Sequence, residues 1–346
     1  MLDSKEQKII DFIRKVGSCS STELFEKTDI SVSYATLKRL LSKLKKDHYI
    51  ATEGQGKSTR YILSPTFKLI EPINLDYYFQ KEVDERDIIT SFNIDIIDHV
   101  LAQNSIFTKE ELDKLNNLQN EFFHNVSQLS NQEFTKEYER LAIDLSWKSS
   151  QIEGNTYSLL ETEKLLKDKE TASGKTKEEA IMLLNHKDAL DFLLENPNYL
   201  TPLSVSKIED IHTILTKDLS VERNLRKKRV GISGTNYRPL DNEFQIAEAL
   251  QSTCALVNAK ENVFEKALLV LCLISYIQPF MDGNKRTARI VSNAILMNYK
   301  YCPLSFRTVD SIDYKKAMLL FYEQNNISSF KEIFMNQYEF AVKTYF

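Results

Sequence analysis

The sequence predicts a mainly helical fold, and three observations lead there. Only 8 Gly and 7 Pro occur in 346 residues, which leaves few positions for tight turns. Apolar residues recur at three- and four-residue spacing along most of the chain, the period of an amphipathic helix. Strand-like runs bounded by turn residues are confined to two places, residues 49–63 and 230–237. With 42% hydrophobic and 27% charged residues, the chain suits two or three globular domains around a substantial core.

The net charge of −4 hides an asymmetry. Residues 1–64 hold 12 Lys and Arg against 8 Asp and Glu, and the remainder holds 33 against 41. A basic small module joined to an acidic larger one points to different partners for each. Cys19, Cys254, Cys272 and Cys302 are scattered, with no Cys-x-x-Cys pair, which fits a reducing compartment and neither a disulfide framework nor a zinc site. The start, Met1 to Glu6, lacks an apolar signal core, and the longest apolar run, Ala267 to Ile277, is short of the ~20 residues that span a bilayer. The expected location is therefore cytoplasmic, with no membrane partner.

Ile9, Ile10, Phe12, Ile13 and Val16 set a first helix, closed by Gly17. Ser20 to Glu23 starts a second, and Ser33 caps a third from Tyr34 to about Asp47. Leu37, Leu40, Leu41 and Leu44 form the apolar face of that third helix, and its other face is basic. Tyr49–Ala51 and Tyr61–Leu63 read as short strands around a flexible basic tip. Three helices and a hairpin in this order resemble a winged helix-turn-helix over residues 1–64. The resemblance implies DNA as a partner, with Tyr34, Thr36, Lys38 and Arg39 facing the major groove and Lys57 and Arg60 on the wing. A solvated basic face, or a protein-contact module, is the other reading.

Residues 65–130 read as a linker and helical extension, with amphipathic helices over Ile88–Leu101 and Lys109–Leu129. A helix from Gln132 to about Ile152 ends in Ser149-Ser150-Gln151-Ile152-Glu153-Gly154. Gly154 is a natural C-terminal cap, and Glu153 in the last turn is disfavoured by the helix dipole unless a cation meets it. Ser158-Leu159-Leu160-Glu161 starts another helix with a Ser-x-x-Glu box, and helices follow over 177–194 and 204–219. His186 and His212 lie on two of them with no second ligand at metal spacing, so they read as surface or core residues. Val230, Gly231, Ile232, Ser233, Gly234, Thr235 and Tyr237 carry the best hairpin signal of the larger part. Helices over 246–257, 262–277, 312–322 and 329–345 complete the chain.

The stretch Gln278-Pro279-Phe280-Met281-Asp282-Gly283-Asn284-Lys285-Arg286-Thr287-Ala288-Arg289 joins two of these helices. Pro279 stops the first and Gly283 permits a sharp turn. Lys285, Arg286 and Arg289 then crowd the start of the second, where the dipole is already positive. Such crowding makes sense when an anion such as phosphate sits in front of the helix. The alternative is a loop whose cations meet nearby carboxylates.

This stretch resembles the signature of the Fic family, which includes Doc-type toxins: His-Pro-Phe-x-Asp-Gly-Asn-Gly-Arg followed by a second arginine. The resemblance implies a Fic-like core over residues 131–300, with C-terminal helices over 301–346. It implies AMP transfer from ATP to a Ser, Thr or Tyr hydroxyl of a target protein, or of the chain itself, with Mg²⁺ held by Asp282. Gly283, Asn284, Lys285, Arg286 and Arg289 would bind phosphates. Residues 230–237 would be the flap that grips a target by strand addition. Ser149, Glu153 and Gly154 would be an inhibitory motif at 149–154, with Glu153 pairing Arg289. A homodimer is among the partners the resemblance leaves open.

Two positions depart from the signature. Gln278 stands where the family has its catalytic His, and a glutamine amide accepts no proton near neutral pH. Lys285 stands where most members have Gly, although Doc-type members carry Lys there and transfer phosphate rather than AMP. Three readings stay open: an adenylyltransferase carrying a deliberate His-to-Gln change, an inactive nucleotide-binding homologue that regulates through DNA, and an enzyme with another base.

Overall fold

The computed structural model describes residues 3–346, and the side chain of Lys57, an expected wing residue, lies outside the described residues. The chain divides into two compact units, one ending at Pro72 and one running from Ile73 to Phe346.

The first unit contains α1 (Ser4–Val16), β1 (Ser18–Cys19), α2 (Ser21–Lys27), α3 (Tyr34–Lys46), β2 (Ile50–Glu53), β3 (Arg60–Leu63) and α4 (Pro65–Ile70). Asp3 and Ser20 close capping boxes with Glu6 and Glu23, and Ser33 accepts from the Thr36 N–H. Gly17 ends α1 at a φ of 76°. The strands form one antiparallel sheet in the order β1-β3-β2, with Ile50 opposite Leu63 and Glu53 opposite Arg60. Ile9, Ile13, Leu24, Leu37, Leu41 and Leu44 bury together beneath it.

The second unit is helical: α5 (Leu75–Tyr78), α6 (Lys109–Gln128), α7 (Asn131–Ile152), α8 (Leu159–Asp168), α9 (Lys177–Glu195), α10 (Val205–Leu215), α11 (Glu243–Ala259), α12 (Val263–Ile277), α13 (Asn284–Asn298), α14 (Ser311–Gln324) and α15 (Ser328–Tyr345). All 15 residues of α12 are buried, as expected of a helix that is apolar around its whole circumference. α13 packs along α12, and α11 and α14 also pack on α12. α7, α9 and α10 cover α13, and α15 packs on α6, α7 and α14. No helix among the described residues is long and apolar enough to cross a membrane.

Two expectations are corrected. Residues 88–94 are not helical; the helix begins at Asp95 and is a wide π-type turn over Ile96–Leu101. Tertiary hydrogen bonds hold the earlier stretch extended: the Ile89 N–H donates to the Glu323 carbonyl at 2.8 Å, and the Asn93 N–H donates to the Tyr276 hydroxyl at 2.9 Å. Residues 230–237 form no hairpin ladder either. The turn at Ser233–Gly234 is present, with Gly234 at a φ of 84°, but its limbs do not pair. Tyr237 turns into the core instead, and its hydroxyl donates to the Tyr276 carbonyl at 3.0 Å. Arg238 makes an isolated parallel bridge with Ser91.

The central position of α12 sets an expected contrast. Leu271→Ala, at a fully buried site, lowers unfolding free energy by about 2–5 kcal/mol. Leu160→Ala, at a site 76% exposed, stays within about 0.5 kcal/mol of the parent in the same urea titration.

Candidate functional site

The loop between α12 and α13 is shaped by its own residues. Gln278 ends α12 in the left-handed region at a φ of 52°. Asn284 folds the loop back on itself: its Oδ1 accepts from the Phe280 N–H at 2.8 Å and its Nδ2 donates to the Phe280 carbonyl at 2.8 Å. The same Nδ2 donates to Gln278 Oε1 at 3.0 Å, while Gln278 Nε2 donates to the Ser275 carbonyl at 2.6 Å. Both ends of the Gln278 amide are thus engaged. Gly283 precedes α13 at a φ of 81°, where a Cβ would lie 3.4–3.5 Å from Thr216, Arg286 and His212. No side chain caps α13, and the N–H groups of Asn284, Lys285 and Arg286 have no partner among the described residues.

Three cations surround that open helix start. Arg289 is fully buried. Its Nε donates to Ser149 Oγ at 2.8 Å, and its Nη2 donates to the Ser149 carbonyl and to Glu153 Oε1, each at 2.9 Å. Its guanidinium lies 5.3 Å over the Tyr314 ring. Lys285 Nζ stands 3.4 Å from the other Glu153 oxygen. Arg286 is 1% exposed and meets Asp282 Oδ2 at 3.2 Å. Glu153 closes the C-terminus of α7, and Gly154 follows at a φ of 100°. Burial pushes the Glu153 carboxyl up, but Arg289, Lys285 and Arg286 together outweigh it and hold it below the usual carboxylate range.

Lys285, Arg286 and Arg289 face two carboxylates, Glu153 and Asp282, so one positive charge remains beside the positive end of α13. Arg286 Nε and Arg289 Nη1 are buried without a hydrogen-bond partner. This donor set fits an anion with several oxygens. Among the described residues no three His, Cys, Asp or Glu gather into a metal cluster. A cation here would rest on the exposed Asp282 carboxylate, with water and ligand oxygens completing its shell, an arrangement Mg²⁺ accepts.

Two contributors carried no local sequence signal. His212 on α10 stacks on Phe280 at 3.7 Å between ring centroids and 7° between planes. Its Nε2 donates to the Asp282 carbonyl at 2.9 Å, which places the ring proton on that nitrogen. Burial pushes the His212 pKa down to about 4; the bond to Asp282 opposes the shift and Arg286 adds to it. Arg226 is 1% exposed and ties the segment after α10 to the loop. Its N–H donates to the Pro279 carbonyl at 2.9 Å, its Nε to the Gln278 carbonyl at 2.6 Å, and its other nitrogens to the Lys228 and Leu240 carbonyls. Val230 to Thr235 lie between those two ends, so Arg226 roots the expected flap beside Gln278.

The structure thus brings together Gln278, Asp282, Gly283, Asn284, Lys285, Arg286, Arg289, Ser149 and Glu153. The expected groove residues belong to the first unit. Thr36, Lys38 and Arg39 are exposed on α3. The Tyr34 hydroxyl is hydrogen-bonded to Ser21 Oγ at 2.9 Å, and Arg60 donates to the side chain and carbonyl of Ser18.

The His212 geometry carries a pH dependence. A histidine with a folded pKa near 4 is neutral at pH 7, whereas the unfolded chain takes up the proton near 6.5. The unfolded state therefore binds more protons between these values, and stability falls as pH drops through that window, by up to about 1.4 kcal/mol per pH unit. Urea titrations from pH 7 to 4 should show a steeper acid loss for the parent than for His212→Gln, which carries no such proton. Equal slopes would remove His212 from the acid response.

Residues 202–296 match the model of the Fic/DOC family. The chain is 29% identical over 179 residues to the protein adenylyltransferase Fic of Nematostella vectensis, a match covering 48% of this chain and 40% of that relative. It therefore spans well under half the length of this curated relative. The structure superposes on Fic-1 of C. elegans with a TM-score of 0.61 at 21% identity, covering 68% of this chain and 71% of that one. It superposes on a Fic family protein from Desulfovibrio desulfuricans with a TM-score of 0.58 at 20% identity, covering 68% and 74%. The stretch that matches the Fic/DOC family model contains the loop and start of α13 described above, and the superposed part of the chain shares the fold of those two structures.

Proposed function

We propose that the chain is a Fic-type protein adenylyltransferase whose nucleotide site is held shut by Glu153. The observation that carries this reading is the Glu153 carboxylate lodged between Arg289 and Lys285 at the uncapped start of α13. A carboxylate there takes the place that a phosphate of ATP would take. In the open form, the free N–H groups of α13 with Lys285, Arg286 and Arg289 would bind the phosphates, and Asp282 would hold Mg²⁺. Bound Mg²⁺ supplies charge neutralisation of phosphate oxygens. The curated relative is named a protein adenylyltransferase, which supports AMP transfer as the reaction class.

Transfer joins a target hydroxyl oxygen to the α-phosphorus and releases pyrophosphate, so the hydroxyl proton needs an acceptor. Gln278 orients groups through its amide and accepts no proton. Losing a general base costs ~10²–10⁴-fold in rate. The engaged Gln278 amide supports a second reading, a nucleotide-binding regulator with little catalysis. In that reading residues 1–64 act as a winged helix on DNA, through Thr36, Lys38 and Arg39 on the exposed face of α3.

Radiolabelled ATP separates these readings. With label on the α-phosphate, the doubly substituted Glu153→Gly/Gln278→His chain should mark itself or added protein at least ~100-fold faster than the parent. Label appearing only from the γ-phosphate would assign phosphate transfer. An unlabelled double variant that also fails to bind ATP would sink the transferase reading. For the regulator, random duplex DNA should bind the full chain at low salt and release as salt rises, with Lys38→Ala/Arg39→Ala weakening it. No binding at low salt would remove DNA as a partner.

A further inference from the structure

The stretch between α5 and Ile96 grips the expected flap at three points. Arg86 Nη2 donates to the Gly234 carbonyl at 2.6 Å, at the flap turn. Asn236 Nδ2 donates to Asp84 Oδ1 at 2.9 Å. The Arg238 N–H donates to the Thr90 carbonyl at 2.9 Å, beside the bridge between Ser91 and Arg238.

The grip is anchored deep in the unit. The Arg86 side chain is 4% exposed, and its Nη1 lies 3.2 Å from the carboxylate of Glu323, which is fully buried at the end of α14. The Arg86 guanidinium lies 4.9 Å over the Phe79 ring, and the Tyr78 hydroxyl donates to the same carboxylate at 2.8 Å. Removing either ion alone would leave the other buried without its counter-charge, which is costly. On its other side, a Cβ at Gly234 would meet Leu319 of α14 at 3.6 Å. Residues 234–238 are therefore clamped between α14 and residues 84–91.

The opposite limb is open. The backbone N–H and C=O groups of residues 229–233 have no hydrogen-bond partner among the described residues. Beside it stand Lys227, Lys228 and Arg229, with side chains 74%, 70% and 85% exposed. Their pairs with Glu243, Glu222 and Asp241 are surface pairs, which hold weakly and can be exchanged for other carboxylates.

We propose that residues 84–91 are a built-in strap that fixes the 234–238 limb and leaves 229–233 as the backbone edge for an extended, acidic segment of a target protein. This inference rests on the reading of the chain as a transferase acting on protein hydroxyls. The strap substitutes for the ladder that residues 230–237 lack. Main-chain bonds to 229–233 supply the grip, and the cationic root selects carboxylates flanking the hydroxyl. Arg86 is a positioning residue: it acts through Gly234 and touches neither nucleotide nor target.

The test uses the full chain and two synthetic extended peptides, each with Ser, Thr and Tyr, set among glutamates in one and among lysines in the other. The variants are Asn236→Ala, a surface change, and Arg86→Met/Glu323→Gln, which leaves no buried charge unpaired. Amide exchange at 234–238 should quicken about fivefold or more in both variants. The glutamate peptide should bind the parent, slow exchange at 229–233, and bind both variants several-fold more weakly, while ATP affinity is unchanged. Arg86→Lys, which keeps one donor, should recover part of the loss. Unchanged exchange in both variants, or ATP affinity falling in parallel with peptide affinity, overturns the strap. A parent that binds neither peptide, or both equally, overturns the acidic edge; if the Glu153→Gly/Gln278→His chain still transfers AMP, the transferase reading stands regardless.

Discussion

A guanidinium with no exposed surface must be given a counter-charge, and the second unit is arranged around that requirement at Arg289. Ser149 takes two of its donors and Glu153 a third, so the end of α7 is fixed against the start of α13. One nitrogen, Nη1, is left over with its two N–H groups. Lys285 reaches the same carboxylate from the opposite side and is more exposed, at 24%. The two cations therefore differ in freedom. Arg289 is locked, whereas Lys285 can turn toward another anion at little cost. The position at which the signature departs toward Lys is thus also the position that shares Glu153.

The loop in front of α13 is supported from three directions. Asn284 closes it internally, His212 holds the Asp282 carbonyl from α10, and Arg226 holds the Gln278 and Pro279 carbonyls from the segment beyond. Asn284 and His212 act as neutral groups, and Arg226 spends its donors on backbone carbonyls, which leaves the N–H face of the helix start clear. Arginine is suited to this work because its planar fork meets several carbonyls at once. Arg226 does so at the root of residues 226–238, and Arg86 meets the single Gly234 carbonyl at their turn, where no strand ladder does the same job.

Much of this was legible in the sequence because the signals were local. Caps at Ser20, Ser33 and Ser158, the apolar length of α12, and the Pro279–Gly283 break all follow from nearest neighbours. The crowding of Lys285, Arg286 and Arg289 at the start of α13 was legible for the same reason. What failed was decided by distant partners. Val230 and Ile232 alternate like a strand, yet Tyr237 finds the Tyr276 carbonyl and Arg238 finds Thr90. Ile88 and Ile89 look helical, yet Glu323 draws their backbone out straight. The place of His212 and Arg226 beside the loop was not legible, because a lone histidine, or one cation within Arg226-Lys227-Lys228-Arg229, carries no mark of which way it faces.

The central claim is that Glu153 occupies the place of a ligand anion. The most direct measurement is calorimetric titration of ATP with Mg²⁺ into the parent and into Glu153→Gly. Removal of the internal carboxylate should tighten ATP binding by tenfold or more, since Lys285 and Arg289 no longer have to be taken from it. Equal affinity for the two proteins would contradict the claim and leave Glu153 as a structural helix end.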